Sequence, residues 1–132
     1  MKLTAEDKEA RRSNYLANKE AYKERATEWK KNNPEAVKLS RKKGWLKQTY
    51  GLGWEDFLAK YNEQGGACAI CKQNLPLFHE NRSKQPFVDH CHKTGQIRGL
   101  LCHYCNVGIG NFKEKISLLH EAEEYLTKWQ SN

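Results

Sequence analysis

The sequence predicts an α+β fold in which a small cysteine-rich domain follows a basic, largely helical arm. Two C-x-x-C pairs bracket a segment with the pattern of two short strands around a turn. The first 49 residues instead have helix-forming composition with sparse aromatic side chains. We therefore assign residues 1–49 to a helical arm and residues 50–132 to the cysteine-rich domain.

Composition limits the size of the core and the class of protein. The chain has 132 residues, of which 38% are hydrophobic, so it can form one modest domain with an appendage. A core this small is expected to need a covalent or metal staple. Because the sequence has neither an apolar run of membrane-spanning length nor the apolar segment of a signal peptide, we expect a cytoplasmic protein with no membrane partner.

The arm carries the whole net charge of the chain. Residues 1–49 contain fourteen Lys and Arg against seven Asp and Glu, which gives +7, whereas residues 50–132 contain nine of each. Because Asn33 can cap a helix that begins at Pro34, we predict helices at about 4–31 and 34–49. Tyr15, Tyr22 and Trp29 recur every seven residues, and a seam this thin buries little by itself.

A basic arm is expected to bind the phosphates of nucleic acid with little sequence preference. The alternative is a solvated helical face, because seven acidic residues are interleaved with the basic ones. We expect Trp29 and Trp45 to pack against the domain more than to stack on bases. The candidate phosphate contacts are Arg11, Arg12, Lys30, Lys31, Arg41, Lys42 and Lys43.

The domain is predicted to contain three helices and two strands. A glycine-rich break at 51–53 precedes a short amphipathic helix at 54–62. Strands are predicted at 86–90 and 96–101, with a turn at 93–95 between them. A short helix is expected to begin at Cys105 or Asn106, and a longer amphipathic helix at about 117–128.

The cysteine spacing indicates a structural zinc site. Cys68, Cys71, Cys102 and Cys105 form two C-x-x-C pairs, and four thiolates close the tetrahedral coordination of zinc. The thirty residues between the pairs exceed the usual zinc-ribbon spacing, so the site is expected to hold an inserted element. The alternative is that these cysteines form a pair of disulfides or remain free thiols in the core. Cys91 is left over.

A second group of polar residues lies between and beside the cysteine pairs. Asp89 and Asn106 offer a carboxylate and a carbonyl oxygen, which suit Mg²⁺ or Mn²⁺ together with water and a phosphate oxygen. Histidine changes charge near neutral pH, so His90 is the natural general base for a water molecule. The alternative is that His90 and His92 merely cap or solvate a turn.

Four motifs carry a family resemblance: C-A-I-C at 68–71, V-D-H-C-H at 88–92, G-Q-I-R-G-L-L-C at 95–102 and C-N at 105–106. Together they resemble the phage recombination endonuclease VII family, within the ββα-metal or His-Me finger nucleases. The resemblance covers about residues 50 to 130. Many members have D-H-D-H where this chain has Asp89-His90-Cys91-His92, which leaves open whether a fifth thiol competes for zinc.

The resemblance implies a role for each matching residue. The four paired cysteines would bind structural zinc, Asp89 and Asn106 would hold a catalytic Mg²⁺, and His90 would activate water. His92 would contact the scissile phosphate or steady the site. Arg98 would contact a phosphate of the DNA. The equal alternative is that Arg98 is an exposed strand residue without such a contact.

These roles imply an HNH-like DNA endonuclease that leaves 5′-phosphate and 3′-hydroxyl ends on duplex or branched DNA. A zinc-knot module that binds nucleic acid without catalysis is the principal alternative. A structural or protein-interaction zinc domain is the third. The sequence leaves open the DNA structure that is cut and whether the chain acts as a monomer or a homodimer.

Overall fold

A computed structural model describes residues 4–130 and confirms the α+β prediction, with six α-helices and a two-stranded antiparallel sheet in that range. Contacts divide the chain into an N-terminal unit, which ends at Leu46, and a C-terminal unit, which begins at Lys47. The boundary lies within a helix. Over residues 4–130, none of the helices combines the length and apolar character needed to cross a membrane.

The N-terminal unit consists of α1 (Ala5–Ala17), α2 (Lys19–Asn32) and most of α3 (Pro34–Tyr50). The prediction of one helix over 4–31 was wrong at Asn18, which leaves helical geometry with φ −111° and ψ 14°. Its side-chain Nδ2 donates to the carbonyl of Asn14 at 3.0 Å. Asparagine competes for backbone groups in this way, and the competition interrupts an otherwise continuous helix.

Local interactions support these helices. Thr4 forms a capping box with Asp7, in which the Asp7 N–H donates to Thr4 Oγ1 and the Thr4 N–H donates to Asp7 Oδ2. The rings of Tyr15 and Tyr22 stack with centroids 5.8 Å apart. Neither α1 nor α2, both fully described, contains a buried residue.

The C-terminal unit contains the last turn of α3, α4 (Trp54–Glu63), β1 (Phe87–His90), β2 (Ile97–Leu101), α5 (His103–Asn111) and α6 (Ile116–Gln130). A short 3₁₀ turn at Arg82–Lys84 precedes β1. Helix α5 begins two or three residues earlier than predicted, because Cys102 acts as its N-cap through a hydrogen bond from the Cys105 N–H to Cys102 Sγ. The element order β1, β2, α5 places the hairpin directly before the second cysteine pair.

The core of this unit is built around two of the paired cysteines. Cys68 and Cys102 are buried with Leu75 and Leu101 in one cluster, and Ile109 of α5 packs against it. Phe57 of α4 is fully buried. By contrast, α6 has no buried residue among those described, and its aromatic and aliphatic side chains remain exposed.

Gln64, just after α4, connects three segments of the C-terminal unit. Its side-chain Nε2 donates to the carbonyls of Ala67 at 2.8 Å and Leu100 at 2.9 Å. Its Oε1 accepts from the Leu100 N–H at 2.8 Å. Gly99 permits this approach, because a Cβ there would lie only 3.1 Å from Gln64 Oε1. One amide thus joins the end of α4 to the first cysteine hairpin and to β2.

Candidate metal centre and active site

The two cysteine pairs converge as the sequence predicted. The Sγ atoms of Cys68, Cys71, Cys102 and Cys105 all lie within 4.8 Å of one another, and those of Cys71 and Cys102 are 3.7 Å apart. In tetrahedral zinc coordination with Zn–S bonds of about 2.3 Å, neighbouring sulfurs are about 3.8 Å apart. All five cysteines, each in the described part of the chain, are thiols outside any disulfide. The donor set and its spacing therefore fit a zinc ion.

The backbone forms each pair locally. In the first hairpin the Cys68 N–H donates to the carbonyl of Gln73, and the Lys72 N–H donates to the carbonyl of Cys68. Lys72 adopts φ +63°, which closes the turn after Cys71. The second pair lies on the first turn of α5, where the N-cap geometry of Cys102 brings Cys105 to the same side.

The thiols differ in their preference for the thiolate form. Burial raises the pKa of Cys68, but backbone N–H groups that hydrogen-bond to its sulfur outweigh this effect and lower the pKa to about 6. Burial and the neighbouring thiols raise the pKa of Cys105 to about 12, and burial raises that of Cys102. Several thiolates so close together require a compensating positive charge, which a divalent zinc ion would supply.

Asp89 forms a bidentate ion pair with Arg98. Arg98 Nε donates to Asp89 Oδ2 and Nη2 donates to Oδ1, both at 2.7 Å. Asp89 is only 8% exposed, whereas the Arg98 side chain is 37% exposed. A carboxylate has about four lone-pair positions, and this pair uses two of them. Asp89 can therefore still offer an oxygen to a divalent ion.

A register change in the sheet positions Arg98. Asp89 pairs with Gly99, but His90 pairs with Ile97, so Arg98 is an extra residue on β2. Such bulges redirect side chains and often occur beside active sites. Here the bulge directs Arg98 to Asp89 on the neighbouring strand.

Glu114 extends the ion pair into a network that also includes His92. Arg98 Nη1 donates to Glu114 Oε2 at 3.0 Å, and His92 Nδ1 lies 3.1 Å from Glu114 Oε1. The hydrogen bond from Arg98 holds the pKa of Glu114 below its usual value. Sequence reasoning gave Glu114 no role, because it lies between two helices, sixteen residues from Arg98, in a segment without a recognisable pattern. We call Asp89, Arg98, Glu114 and His92 the polar network.

His90, at the end of β1, contacts two aromatic rings. The ring of Tyr50 approaches it with centroids 5.2 Å apart, and the ring of His92 with centroids 4.9 Å apart, both edge to face. These two ring contacts restrict the orientation of the imidazole. Sequence reasoning missed Tyr50 in this position, because it precedes His90 by forty residues.

The structure also describes the other residues that the sequence singled out. Asn106 is partly buried on α5, the helix that packs against β1. Cys91 lies outside the cluster of four cysteines, and hydrogen bonds from Thr94 and Lys93 lower its pKa. In the N-terminal unit Lys42 is partly buried, and six other predicted phosphate contacts are exposed: Arg11, Arg12, Lys30, Lys31, Arg41 and Lys43.

Comparison with known proteins adds a family match and phage relatives. The sequence profile described as "Recombination endonuclease VII" matches residues 43–128. The Gene 59 protein of Mycobacterium phage D29 is 43% identical over 81 residues, which is 61% of this chain and 46% of the relative. The Gene 59 protein of Mycobacterium phage L5 is 39% identical over 79 residues, 59% of this chain and 45% of the relative. The chain thus matches less than half of the length of each relative.

Proposed function

Because the chain belongs to the recombination endonuclease VII family, we propose that it is a metal-dependent endonuclease that hydrolyses phosphodiester bonds of DNA. The observation that carries this proposal is the end of β1, where the buried Asp89 is followed by His90, whose ring contacts those of Tyr50 and His92. Helix α5, with Asn106, packs against the same strand. A held imidazole beside oxygen ligands is what hydrolysis by an activated water requires.

In this proposal the catalytic residues follow the His-Me finger, or HNH-like, pattern. Asp89 and Asn106 hold one Mg²⁺ or Mn²⁺, which when bound supplies positive charge to the phosphodiester and to the departing 3′ oxygen. His90 takes a proton from a water in line with that oxygen. His92 contacts the scissile phosphate or steadies the site. The products carry 5′-phosphate and 3′-hydroxyl ends.

Zinc has a separate, structural duty in this proposal. The four paired cysteines bind it and leave no coordination position for substrate, so it supports the fold and takes no part in cleavage. The partly buried Cys105 and Ile109 of α5 pack against the buried cluster of Cys68, Leu75, Leu101 and Cys102. This contact joins α5 to the first cysteine hairpin and to the end of β2.

DNA is the proposed partner, in duplex or branched form, and the cytoplasm of a phage-infected bacterium is the proposed place of action. We assign residues 1–49 to a DNA-binding arm and residues 50–132 to the nuclease domain. The exposed basic residues of the arm support this division, because they neutralise phosphates without reading sequence. In the domain, Lys60, Lys72 and Arg98 line one groove together with Glu63. Three of the five Arg98 N–H groups donate to carboxylates, and the other two could reach a phosphate.

The second candidate is a zinc-knot module that binds nucleic acid without cutting it. The ion pair of Asp89 with Arg98 favours this alternative, because both carboxylate oxygens already accept a hydrogen bond. The two candidates differ in one measurable property. A nuclease breaks strands when a divalent ion is added, and a binding module does not.

The deciding experiment incubates supercoiled plasmid, linear duplex and a synthetic four-way junction with the zinc-loaded protein and either Mg²⁺ or Mn²⁺. We expect cleavage by the wild type and a loss of about 10²–10⁴-fold in His90→Ala, since a general base contributes a factor of this size. His120→Ala is the matched control, because His120 is an exposed histidine on α6. Equal zinc content and melting temperature must accompany the loss. Intact DNA in every wild-type reaction would refute the nuclease and leave the binding module.

A further inference from the structure

We propose that Glu114 is a positioning residue that fixes the orientation of His92 and, through it, steadies His90. The inference rests on the proposed nuclease function and names a residue to which neither the family motifs nor the sequence patterns gave a role. It starts from one carboxylate shared between two partners. Oε1 of Glu114 lies 3.1 Å from His92 Nδ1, and Oε2 accepts from Arg98 Nη1 at 3.0 Å.

The surroundings of Glu114 favour a fixed carboxylate. Its side chain is 24% exposed, whereas that of His92 is 70% exposed, so the more enclosed partner can orient the more exposed one. Arg98 is in turn fixed by two hydrogen bonds to Asp89. The chain of contacts therefore runs from the buried carboxylate of β1 to the exposed imidazole that follows it.

The backbone at Glu114 supports the same conclusion. Lys113 and Glu114 both adopt φ +55°, a left-handed conformation that costs a residue with a side chain more than it costs glycine. Their N–H groups donate to the carbonyls of Gly110 and Ile109, which ends α5. The chain keeps two non-glycine residues in this conformation, and the turn directs the Glu114 carboxylate back toward β2.

The chemical effect of this contact is on the imidazole tautomer. A carboxylate 3.1 Å from Nδ1 favours the tautomer in which Nδ1 carries the proton and Nε2 does not, and it restricts rotation of the ring about Cβ–Cγ. The ring of His92 also meets that of His90 edge to face, with centroids 4.9 Å apart. Loss of the Glu114 carboxylate would thus change the orientation of both imidazole rings, although neither histidine is itself substituted.

The simpler role for Glu114 is to balance the charge of Arg98. The two roles separate in a double-mutant cycle with His92. If Glu114 acts through His92, then Glu114→Gln reduces cleavage in the wild-type background and has no further effect in His92→Ala. If it only balances Arg98, the loss is the same in both backgrounds, and that result would overturn the proposal.

The test combines spectroscopy and kinetics on the full zinc-loaded chain. Without Mg²⁺ and at a pH at which the imidazoles are neutral, long-range ¹H–¹⁵N spectra should show the Nδ1–H tautomer of His92 in the wild type. We expect Glu114→Gln to shift it toward the Nε2–H form that an unpartnered histidine prefers, and Glu114→Asp to restore part of the wild-type signal. Glu121→Gln on α6 is the control with the same charge change.

Kinetics then measures the consequence. With Mg²⁺, kcat should fall by about 10–100-fold in Glu114→Gln, the usual effect of losing a partner that orients a site residue. KM should stay within about twofold, because the basic residues proposed to bind DNA are unchanged. An unchanged tautomer in Glu114→Gln would overturn the proposal. If the wild type cuts no DNA, the proposed function fails, but the tautomer still decides whether Glu114 positions His92.

Discussion

The first two helices and the C-terminal unit are held by different kinds of interaction. The helices α1 and α2 contain no buried residue and rely on a capping box, a ring stack and the exposed ion pair of Lys23 with Glu20. The C-terminal unit instead has a buried core that includes cysteines and a network of hydrogen bonds between distant residues. Damage to the first unit should therefore change binding, and damage to the second should change folding and chemistry.

The largest effect is expected from loss of zinc. In Cys105→Ser the core keeps its size but loses one thiolate, and structural zinc sites in small domains supply free energy comparable to the whole stability of a domain, about 10 kcal/mol. We expect the C-terminal unit to lose its cooperative melting transition and its zinc, measured by near-ultraviolet circular dichroism and by metal analysis.

Cys91→Ser is the control for that experiment, since Cys91 lies outside the cluster of four cysteines. It should keep one zinc per chain and the wild-type melting temperature. A Cys105→Ser protein that melted like the wild type, or a Cys91→Ser protein that lost zinc, would contradict the four-cysteine site. Chelation of the zinc should reproduce the effect of Cys105→Ser.

A smaller loss of stability is expected when Arg98 is replaced by alanine. The nearly buried Asp89 would lose both hydrogen bonds of its carboxylate, and an unsatisfied group of this kind costs about 1–3 kcal/mol. Urea unfolding at neutral pH measures the change. Lys84→Ala, an exposed residue in the 3₁₀ turn of the same unit, is the comparison. Equal midpoints for the two variants would contradict a stabilising ion pair.

Acid titration sharpens this prediction through Glu114. The hydrogen bond from Arg98 lowers the pKa of Glu114, so the stabilisation is present above the ordinary value of 4.5 and disappears as the pH falls through the lowered value. The difference in unfolding free energy between wild type and Arg98→Ala should therefore narrow as the pH falls below about 4.5. If the difference in unfolding free energy grew as the pH fell, the assignment of a lowered pKa to Glu114 would be wrong.

Charge reversal in the arm should weaken DNA binding and leave the folding of the C-terminal unit unchanged. The double substitution Lys30→Glu and Lys31→Glu should weaken DNA binding about tenfold and reduce the salt dependence of affinity, because fewer counterions are released. Fluorescence anisotropy at several salt concentrations measures both quantities. Lys128→Glu on α6 is the control. If neither the affinity nor its dependence on salt concentration changed, the arm would be a solvated helical surface that does not bind DNA.

The smallest effect is expected at the first cap. The hydrogen bonds from Thr4 lower the pKa of Asp7, so the cap stabilises α1 above the ordinary value of 3.8 and is lost as the pH falls through the lowered value. Thr4→Ala should return the pKa of Asp7 toward 3.8 and fray the first turn alone. Carboxyl and Cα chemical shifts detect both changes, and shifts that spread beyond α1 would contradict a local cap.

The sequence predicted those features that depend on local pattern or on ligand chemistry. The limits of α4, β1 and β2 agree with the prediction to within a residue, and the four cysteines converge. It did not predict the contacts made by Arg98 and Glu114. One depends on a bulge in β2 and the other on a left-handed turn, and both join residues far apart in the chain. The break at Asn18 was missed because helix and side chain compete for the same backbone groups.

The amide of Gln64 has a consequence for the sheet as a whole. It donates to the carbonyl of Leu100 and accepts from its N–H, so it bonds to β2 as the peptide group of a third strand would. An unpaired strand edge invites pairing with another chain, which leads to aggregation. In a sheet of only two strands, one side chain thus covers part of an edge that would otherwise act as a template, and it does so at the residue where the strand passes the first cysteine hairpin.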